Sequence, residues 1–191
     1  MNIINVIKFI GEKNSEYSWD KVKIKLPSVP VDGKGYYDEN GRQGEWLQYW
    51  EGGDSVLDFR GGYLNNERHG YWESYYSDGR LFFKGNFFKG KRHGYWEDFY
   101  VDGQLESRGV YNYGLKDGYW EEFYPDGDLW HKGNYVNDKR DGYWEEYYSN
   151  SQIREKGYYV NGLKDGYWEE YFDSGEIKFK GKYRDGFNLK K

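Results

Sequence analysis

The chain has 191 residues, of which 23% are aromatic and none is cysteine. Without cysteine it can form neither a disulfide nor a zinc–thiolate site. Its 28 basic and 33 acidic residues give a formal net charge of -5, which argues against nucleic acid or anionic lipid as a partner. Tyrosine, tryptophan and phenylalanine favour strands over helices, so the composition predicts an all-β protein.

Residues 1–32 precede the repeated part of the chain. They begin with an apolar run compatible with a short helix or a strand, and in 21–26 valine, isoleucine and leucine alternate with lysines as in a strand. The first run lacks the basic stretch and the cleavage pattern of a secretory signal. We therefore expect a soluble, cytoplasmic protein in which residues 1–32 cap one end of the fold.

Residues 33–187 repeat with a period of 24 residues, and a basic tail follows at 188–191. The phrase Gly-Tyr-Trp-Glu begins at Gly70, Gly94, Gly118, Gly142 and Gly166, and a looser copy begins at Gly44. A period of this kind is typical of arrays whose units bury their apolar surface against their neighbours.

Each repeat contains two strand-like runs with a turn signal between them. An Asp-Gly pair supplies that signal at Asp78-Gly79, Asp102-Gly103 and Asp126-Gly127. Asp-Gly favours a type I′ turn, in which both central residues have positive φ. A second turn, with Gly90, Gly114 or Gly162 in it, links each hairpin to the next. The sequence thus predicts an elongated single-sheet meander of about six β-hairpin repeats.

Pairing the two runs about the Asp-Gly turn gives a register for every repeat. In one repeat Trp72 lies opposite Gly85, and Tyr76 lies opposite Leu81. A glutamate then faces a base in Glu73–Lys84, Glu97–Arg108, Glu121–Lys132, Glu145–Lys156 and Glu169–Lys180. An indole over a cross-strand glycine stabilises a strand, and each opposite-charge pair adds about 0.2–1 kcal/mol. A shift of two residues at the second turn would change the pairing but not the faces.

Strand alternation assigns the side chains to two faces. The predicted core face carries Trp46, Trp72, Trp96, Trp120, Trp144 and Trp168. It also carries an aliphatic row of Leu57, Leu81, Leu105, Leu129, Ile153 and Ile177. The other face carries tyrosines, glutamates and bases, together with the variable positions Phe82, Glu106, Trp130, Arg154 and Lys178.

We expect the second face to bind a partner, because a single-layer sheet leaves one aromatic surface accessible and interfaces favour large aromatic side chains. The candidate binding residues are Tyr71, Tyr75, Tyr95, Phe99, Tyr119, Phe123, Trp130, Tyr143, Tyr147, Tyr167, Tyr171, Glu97, Glu121, Glu145, Arg108 and Lys132.

The acids and histidines do not predict a catalytic or metal site. Adjacent acids such as Glu121 and Glu122 point to opposite faces of a strand, and each motif glutamate has a basic partner. His69 and His93 occupy the position before the motif glycine, where later repeats have aspartate, and are interpreted as turn residues. We therefore expect neither catalysis nor a bound metal or cofactor.

The phrases G-Y-W-E-E-Y-Y, x-D-G-x-L, K-G-x-Y and N-G-L-K-D-G resemble the MORN repeat (membrane occupation and recognition nexus). The resemblance is to the bacterial variant found in antitoxin-like proteins. It implies a rod of hairpins with an aromatic groove and a binding function without catalysis. The leading expectation is a protein partner neutralised by occlusion through an aromatic, acidic sheet face.

Two other functions are compatible with the sequence. Aromatic and basic side chains could sequester a nucleotide-like small ligand. A membrane-associated scaffold is the other alternative, although the acidic balance argues against it. Pairing of two copies into a homodimer is compatible with all three functions.

Overall fold

The computed structural model describes residues 35–50 and 56–189. These residues form one antiparallel sheet of 14 strands that lie in sequence order, so the predicted all-β, single-sheet meander of hairpins is confirmed. The predicted cap at 1–32 lies outside the described residues. The strands are β1 (Tyr36–Asp38), β2 (Gly41–Tyr49), β3 (Leu57–Leu64), β4 (Glu67–Tyr75), β5 (Leu81–Phe88), β6 (Lys91–Phe99), β7 (Leu105–Asn112), β8 (Leu115–Phe123), β9 (Leu129–Val136), β10 (Lys139–Tyr147), β11 (Ile153–Val160), β12 (Leu163–Tyr171), β13 (Ile177–Arg184) and β14 (Phe187–Asn188).

Two kinds of strand alternate along the sheet. Even-numbered strands from β2 to β12 carry the Gly-Tyr-Trp-Glu motif or its looser copy and are called motif strands here. Odd-numbered strands from β3 to β13 carry a Gly near their centre and are called glycine strands. With neighbouring strands about 4.8 Å apart, fourteen strands extend about 60 Å.

The turn at Asp78-Gly79 is not the type I′ turn that the sequence predicted. Only Gly79 has positive φ, at 87°. Tyr76 N–H donates to Arg80 C=O, and Gly79 N–H donates to Tyr76 C=O. The loop therefore has three residues, a type I turn that ends on a left-handed glycine.

Type I′ geometry occurs instead at the second turn, between hairpins. Lys89 and Gly90 both have positive φ, at 49° and 74°, and join Phe88 to its cross-strand partner Lys91. Gly90 N–H also donates to Arg68 C=O at the start of β4. Each turn of this kind is therefore hydrogen-bonded to the preceding motif strand along one long rim of the sheet.

The three-residue loop produces a β-bulge that moves the aliphatic row to the other face. Leu81 pairs with Tyr75, not with Tyr76 as predicted. A one-residue slip reverses the face of a strand, so this row lies with the tyrosines and its predicted place in the core was wrong. The row consists of Leu57, Leu81, Leu105, Leu129, Ile153 and Ile177.

The core of the single sheet is a row of buried tryptophans. Trp96 pairs with glycines on both sides, Gly85 and Gly109, but its indole covers only the preceding one. A Cβ added to Gly85 would lie 2.3 Å from the Trp96 ring, and Trp96 Nε1–H donates to Asn86 C=O over 2.9 Å. The indole is thus fully buried and keeps a hydrogen-bond acceptor. The predicted core residues Trp46, Trp72, Trp96, Trp120, Trp144 and Trp168 are all buried.

Aromatic contacts connect successive tryptophans. The ring of Tyr111 lies edge-on to Trp96 and to Trp120, with centroids 6.0 and 4.8 Å apart. Tyr135 bridges the next pair of tryptophans in the same way. At the opposite rim from the type I′ turns, Tyr100 Oη donates to Phe123 C=O over 2.7 Å, and this latch recurs in other repeats. Successive hairpins are therefore joined at the core and at both rims.

Candidate functional site: the tyrosine face

The face opposite the tryptophans, called the tyrosine face here, carries an exposed aromatic row. Each tyrosine follows a motif glycine with positive φ. Exposure of the side chains is 52% for Tyr95, 51% for Tyr119, 43% for Tyr143 and 51% for Tyr167, whereas Tyr71 is half-buried. Neighbouring members are two strands, or about 10 Å, apart. The row is a regular line of accessible rings.

Glutamates on the same face fix the orientation of these rings. Tyr95 Oη donates to Glu97 Oε1 over 3.0 Å, and Tyr143 Oη donates to Glu145 Oε1 over 3.2 Å. Because each acceptor lies two residues along the strand, the tyrosine ring lies down along its strand. The row therefore presents rigid rings before any partner arrives, which reduces the entropic cost of binding.

The central row of the tyrosine face alternates in charge from strand to strand. Cross-strand partners are as predicted, so Glu97 pairs in register with Arg108. The ion pair, however, joins Glu97 to Lys84 of the preceding strand, at 2.5 Å. The same offset recurs in Arg60–Glu73, Arg108–Glu121, Lys132–Glu145 and Lys156–Glu169.

This charge row is balanced, contrary to the expectation of an acidic face. Six bases and five acids alternate in the row Arg60, Glu73, Lys84, Glu97, Arg108, Glu121, Lys132, Glu145, Lys156, Glu169 and Lys180. The opposite charges of this row nearly cancel, so the row gives the tyrosine face little long-range attraction for a charged partner.

Hydrogen bonds stabilise the ionised form of Glu145 in this row. Burial raises the pKa of Glu145, but hydrogen bonds from Lys132 and Tyr147 outweigh it and lower the pKa below its ordinary value. Burial and the bond to Glu73 raise the pKa of Tyr75 to about 12. At neutral pH Glu145 is therefore ionised and Tyr75 is protonated, so these two groups are suited to holding structure and to recognition.

A third row on this face is apolar and half-buried. It consists of Tyr75, Phe99, Phe123, Tyr147 and Tyr171, each paired with a residue of the aliphatic row. Lys84 Nζ lies 5.6 Å from the centre of the Phe99 ring, and Lys132 Nζ lies 5.7 Å from that of Tyr147. The tyrosine face thus has an exposed aromatic row, a charged row and an apolar row in parallel.

Trp130 is the one candidate binding residue that lies away from the tyrosine face. It is the extra residue of the bulge between Leu129 and His131. Its ring packs on His131 at 4.4 Å, and His131 in turn contacts Trp144 at 5.6 Å. At the equivalent position Arg154 donates to Glu146 on the tryptophan face. The bulge therefore places these variable positions on the tryptophan face, and the face predicted for them was wrong.

A row of cations on the tryptophan face was not predicted from the sequence. The guanidinium carbon of Arg92 lies 4.2 Å from the centre of the Trp96 ring, and Arg92 Nη1 lies 2.8 Å from Asp98 Oδ2. The sequence signal was a base two positions before each motif glycine, at Arg42, Arg68, Arg92, Lys116, Arg140 and Lys164. Each of these cations lies over its tryptophan, which closes the open side of the core.

Glu122 is the strongly perturbed acid of the tryptophan face. The buried His131 imidazole approaches it at 3.2 Å, and Lys116 donates to its other oxygen. Burial alone would raise the pKa of Glu122. The contacts with His131 and Lys116 outweigh this effect and lower the pKa to about 2. Folding lowers this pKa from its ordinary value of 4.5, so the carboxylate stabilises the fold above about pH 4.5 and this stabilisation is lost as the pH falls towards 2.

Glu122→Gln is therefore expected to lose about 1–3 kcal/mol of stability at pH 7 and progressively less towards pH 2. Urea denaturation at pH 7, 4.5 and 3 measures this difference. Glu106→Gln is the matched control, because burial and nearby acids raise the pKa of Glu106, so its replacement is expected to have the opposite sign at pH 7. Equal losses for Glu122→Gln at pH 7 and pH 3 would contradict the assignment.

A pocket on the tryptophan face, within the described part of the chain, is small for a ligand. This pocket, lined by Arg140, Trp144, Glu146, Glu155, Tyr159 and Trp168, has an empty volume of about 140 Å³, below the range of about 300–1,000 Å³ of ligand pockets. Within residues 35–50 and 56–189, no group of three or more acids and histidines is placed to hold a metal ion. The same residues contain no helix long and apolar enough to cross a bilayer.

A family model described as the MORN repeat variant matches residues 68–89, 116–137, 140–161 and 164–185. Each match begins at the base that covers the tryptophan and ends in the type I′ turn that follows the glycine strand. The predicted repeat type is confirmed at these four positions. MORN repeats are non-catalytic modules that generally bind proteins or membranes. No curated protein matches the chain.

Proposed function

We propose that this protein is a non-catalytic binding module that covers a protein partner with its tyrosine face. The observation that carries the proposal is the row of Tyr95, Tyr119, Tyr143 and Tyr167, whose rings are about half exposed. Glutamates of the same strands orient the first three of these rings. Rigid amphipathic rings supply contact area at low entropic cost and are enriched at the centres of interfaces.

Because the charge row is balanced, its charges are suited to distinguishing one partner from another at close range. They are less suited to attracting a charged partner from a distance. Each glutamate already accepts from a base and from one or two tyrosines. A partner would have to match the alternation of charge to avoid placing like charges together, and this requirement gives specificity. Affinity would come from the tyrosines and from the apolar row beside them.

Neutralisation by occlusion is the specific form of this function that we propose. A sheet about 60 Å long can cover an active or binding surface of a partner without chemistry of its own. The resemblance to antitoxin-like MORN proteins motivates this antitoxin or immunity role. The glutamates of the charge row are already paired within the chain, which fits a surface that covers a partner without reacting with it.

A pull-down from lysate of the native host, analysed by mass spectrometry, tests the proposal. Tyr95→Ala/Tyr119→Ala/Tyr143→Ala is expected to weaken capture of the partner about tenfold or more, because truncated hot-spot aromatics each cost 1 kcal/mol or more. Phe82→Ala/Phe172→Ala is the matched control, since both rings are exposed, by 39% and 48%, and lie away from the tyrosine row.

Equal loss in both variants would overturn binding through the tyrosine face. Melting temperatures of the two variants show whether either has lost its fold. Co-expression of the captured partner with and without this chain then tests neutralisation: relief of growth arrest by the native chain but not by the tyrosine variant is expected. A partner without toxicity would overturn the neutralising role while leaving the binding function.

A further inference from the structure

The last glycine strand, β13, differs from the five before it on its outer side. In each earlier glycine strand the following motif strand pairs along the last six residues, which correspond to 179–184 of β13. β14 pairs only with the end of β13, at Tyr183 and Arg184, and Leu189 N–H continues to Lys182 C=O. Among the described residues, none pairs with the outer side of 177–181.

Gly181 lacks the tryptophan that covers its counterparts. The indoles of the next motif strand lie on Gly61, Gly85, Gly109, Gly133 and Gly157. At Gly181 the nearest side chain is Phe179 of the same strand, and a Cβ added there would lie 2.4 Å from Phe179 Cζ. The ring of Phe179 thus occupies the place that a tryptophan takes elsewhere.

Earlier repeats show what Phe179 does when the tryptophan is present. Its counterpart Phe59 stacks on Trp72 with centroids 5.0 Å apart, and Phe83 lies 5.3 Å from Trp96. An incoming aromatic ring over Gly181 would displace the Phe179 ring, which would then pack beside it as Phe59 and Phe83 pack beside Trp72 and Trp96.

The charges of this edge lack acidic partners on its outer side. Lys180 has no following glutamate and turns back to Glu169, at 2.8 Å, which it shares with Lys156. The strand is basic along its length, with exposed Lys178, Lys180, Lys182 and Arg184. Ile177 is 58% exposed, whereas its five counterparts are half-buried.

We propose that the outer edge of β13 is a docking site for an acidic β-strand of a partner protein. The strand adds antiparallel to Phe179–Gly181, the part of this register that β14 leaves open, with an aromatic residue over Gly181 and a carboxylate next in sequence facing Lys180. This is the register of the internal motif strands, and main-chain hydrogen bonds supply affinity as in other strand additions. The same edge of a second copy is excluded as the occupant, because antiparallel pairing would bring lysine rows together.

A seven-residue peptide with the sequence of 166–172, Gly-Tyr-Trp-Glu-Glu-Tyr-Phe, is the probe, because residues 163–165 would meet the part of β13 that already pairs with β14. Saturable binding to the full chain, measured by fluorescence anisotropy, is expected to weaken about tenfold or more when the peptide tryptophan becomes alanine, as expected for a central aromatic anchor. NMR shift changes are expected in β13 and not at Tyr95, Tyr119 and Tyr143.

Variants of the protein locate the site. Gly181→Val is expected to abolish binding because its side chain fills the seat of the ring. Lys180→Glu is expected to weaken the native peptide and to favour a peptide whose first glutamate is lysine. Arg184→Glu makes the same charge change beside β14 and is expected to leave affinity within about twofold, since rim charges contribute little.

Absence of peptide binding at millimolar concentration would overturn the proposal. Binding that Gly181→Val and Lys180→Glu both leave unchanged, or shifts confined to the tyrosine face, would overturn it too. The result is independent of the proposed neutralising function, because capture through the tyrosine face does not require Lys180 and peptide docking on β13 does not require Tyr95.

Discussion

Trp120→Ala is expected to lower the free energy of unfolding by about 3–5 kcal/mol, the usual cost of truncating a buried aromatic side chain. Trp120 is fully buried, it fills the space above Gly109, and its Nε1–H donates to Val110 C=O over 3.0 Å. The substitution removes the packing and the hydrogen bond together. Urea denaturation followed by circular dichroism measures the loss.

The neighbouring Tyr119→Ala is the control for Trp120→Ala. Tyr119 is 51% exposed, so its replacement is expected to cost less than about 1 kcal/mol. Because each repeat contacts only its neighbours, Trp120→Ala is also expected to broaden unfolding or to divide it into two transitions. Equal effects of the two substitutions would show that the tryptophan row is not the core.

Gly109→Ala is expected to cost about 2–3 kcal/mol, because an added methyl group would overpack the indole seat. The new Cβ would lie 2.3 Å from the Trp120 ring, and hydrogen bonding holds that ring in place. Thermal and urea denaturation measure the loss, and near-ultraviolet circular dichroism reports the displaced tryptophan.

Gly142→Ala separates this steric effect from backbone strain. Gly142 has φ 81°, and a Cβ there would meet nothing within 4 Å. Only the left-handed conformation opposes the substitution, at about 1–2 kcal/mol. If Gly142→Ala lowered the free energy of unfolding as much as Gly109→Ala, the contact between indole and glycine would not explain why the spacing of Trp and Gly recurs in every repeat.

The strand register was predictable because the residue pattern of each repeat allows few alternative strand pairings. Trp72, Glu73 and their partners Gly85 and Lys84 occur at fixed distances from the turn, and the structure pairs them as expected. The same alternation located Tyr95, Tyr119 and Tyr143 on the face away from the tryptophans. The period itself also gave the strand order, since hairpins in series place each strand beside the next.

The bulge was the feature that the sequence did not predict. Asp78-Gly79 fits both a two-residue type I′ loop and the last two residues of a three-residue loop, and pairing the strands by alternation alone does not distinguish them. The difference of one residue moved Leu81 onto the tyrosine face and Trp130 off it. Asp78 Oδ1 accepts Arg80 N–H over 3.0 Å, a local bond that supports the longer loop.

The sequence also did not predict which of its two neighbouring bases each glutamate of the charge row binds. Glu97 lies in register with Lys84 on one side and Arg108 on the other, and a pattern of residue types ranks the two equally. In the structure Glu97 binds Lys84, and Glu169 binds the lysines on both sides.

The hydrogen-bonded rims have a consequence for how the chain folds and bears load. The rim bonds from Gly90 to Arg68 and from Tyr100 to Phe123 join residues no more than one repeat apart along the chain. Topologies made of such short-range contacts fold fast, since little loop entropy is lost before a contact forms. Folding can therefore start in any hairpin and spread in both directions, and tension applied to the two ends should peel the sheet one hairpin at a time.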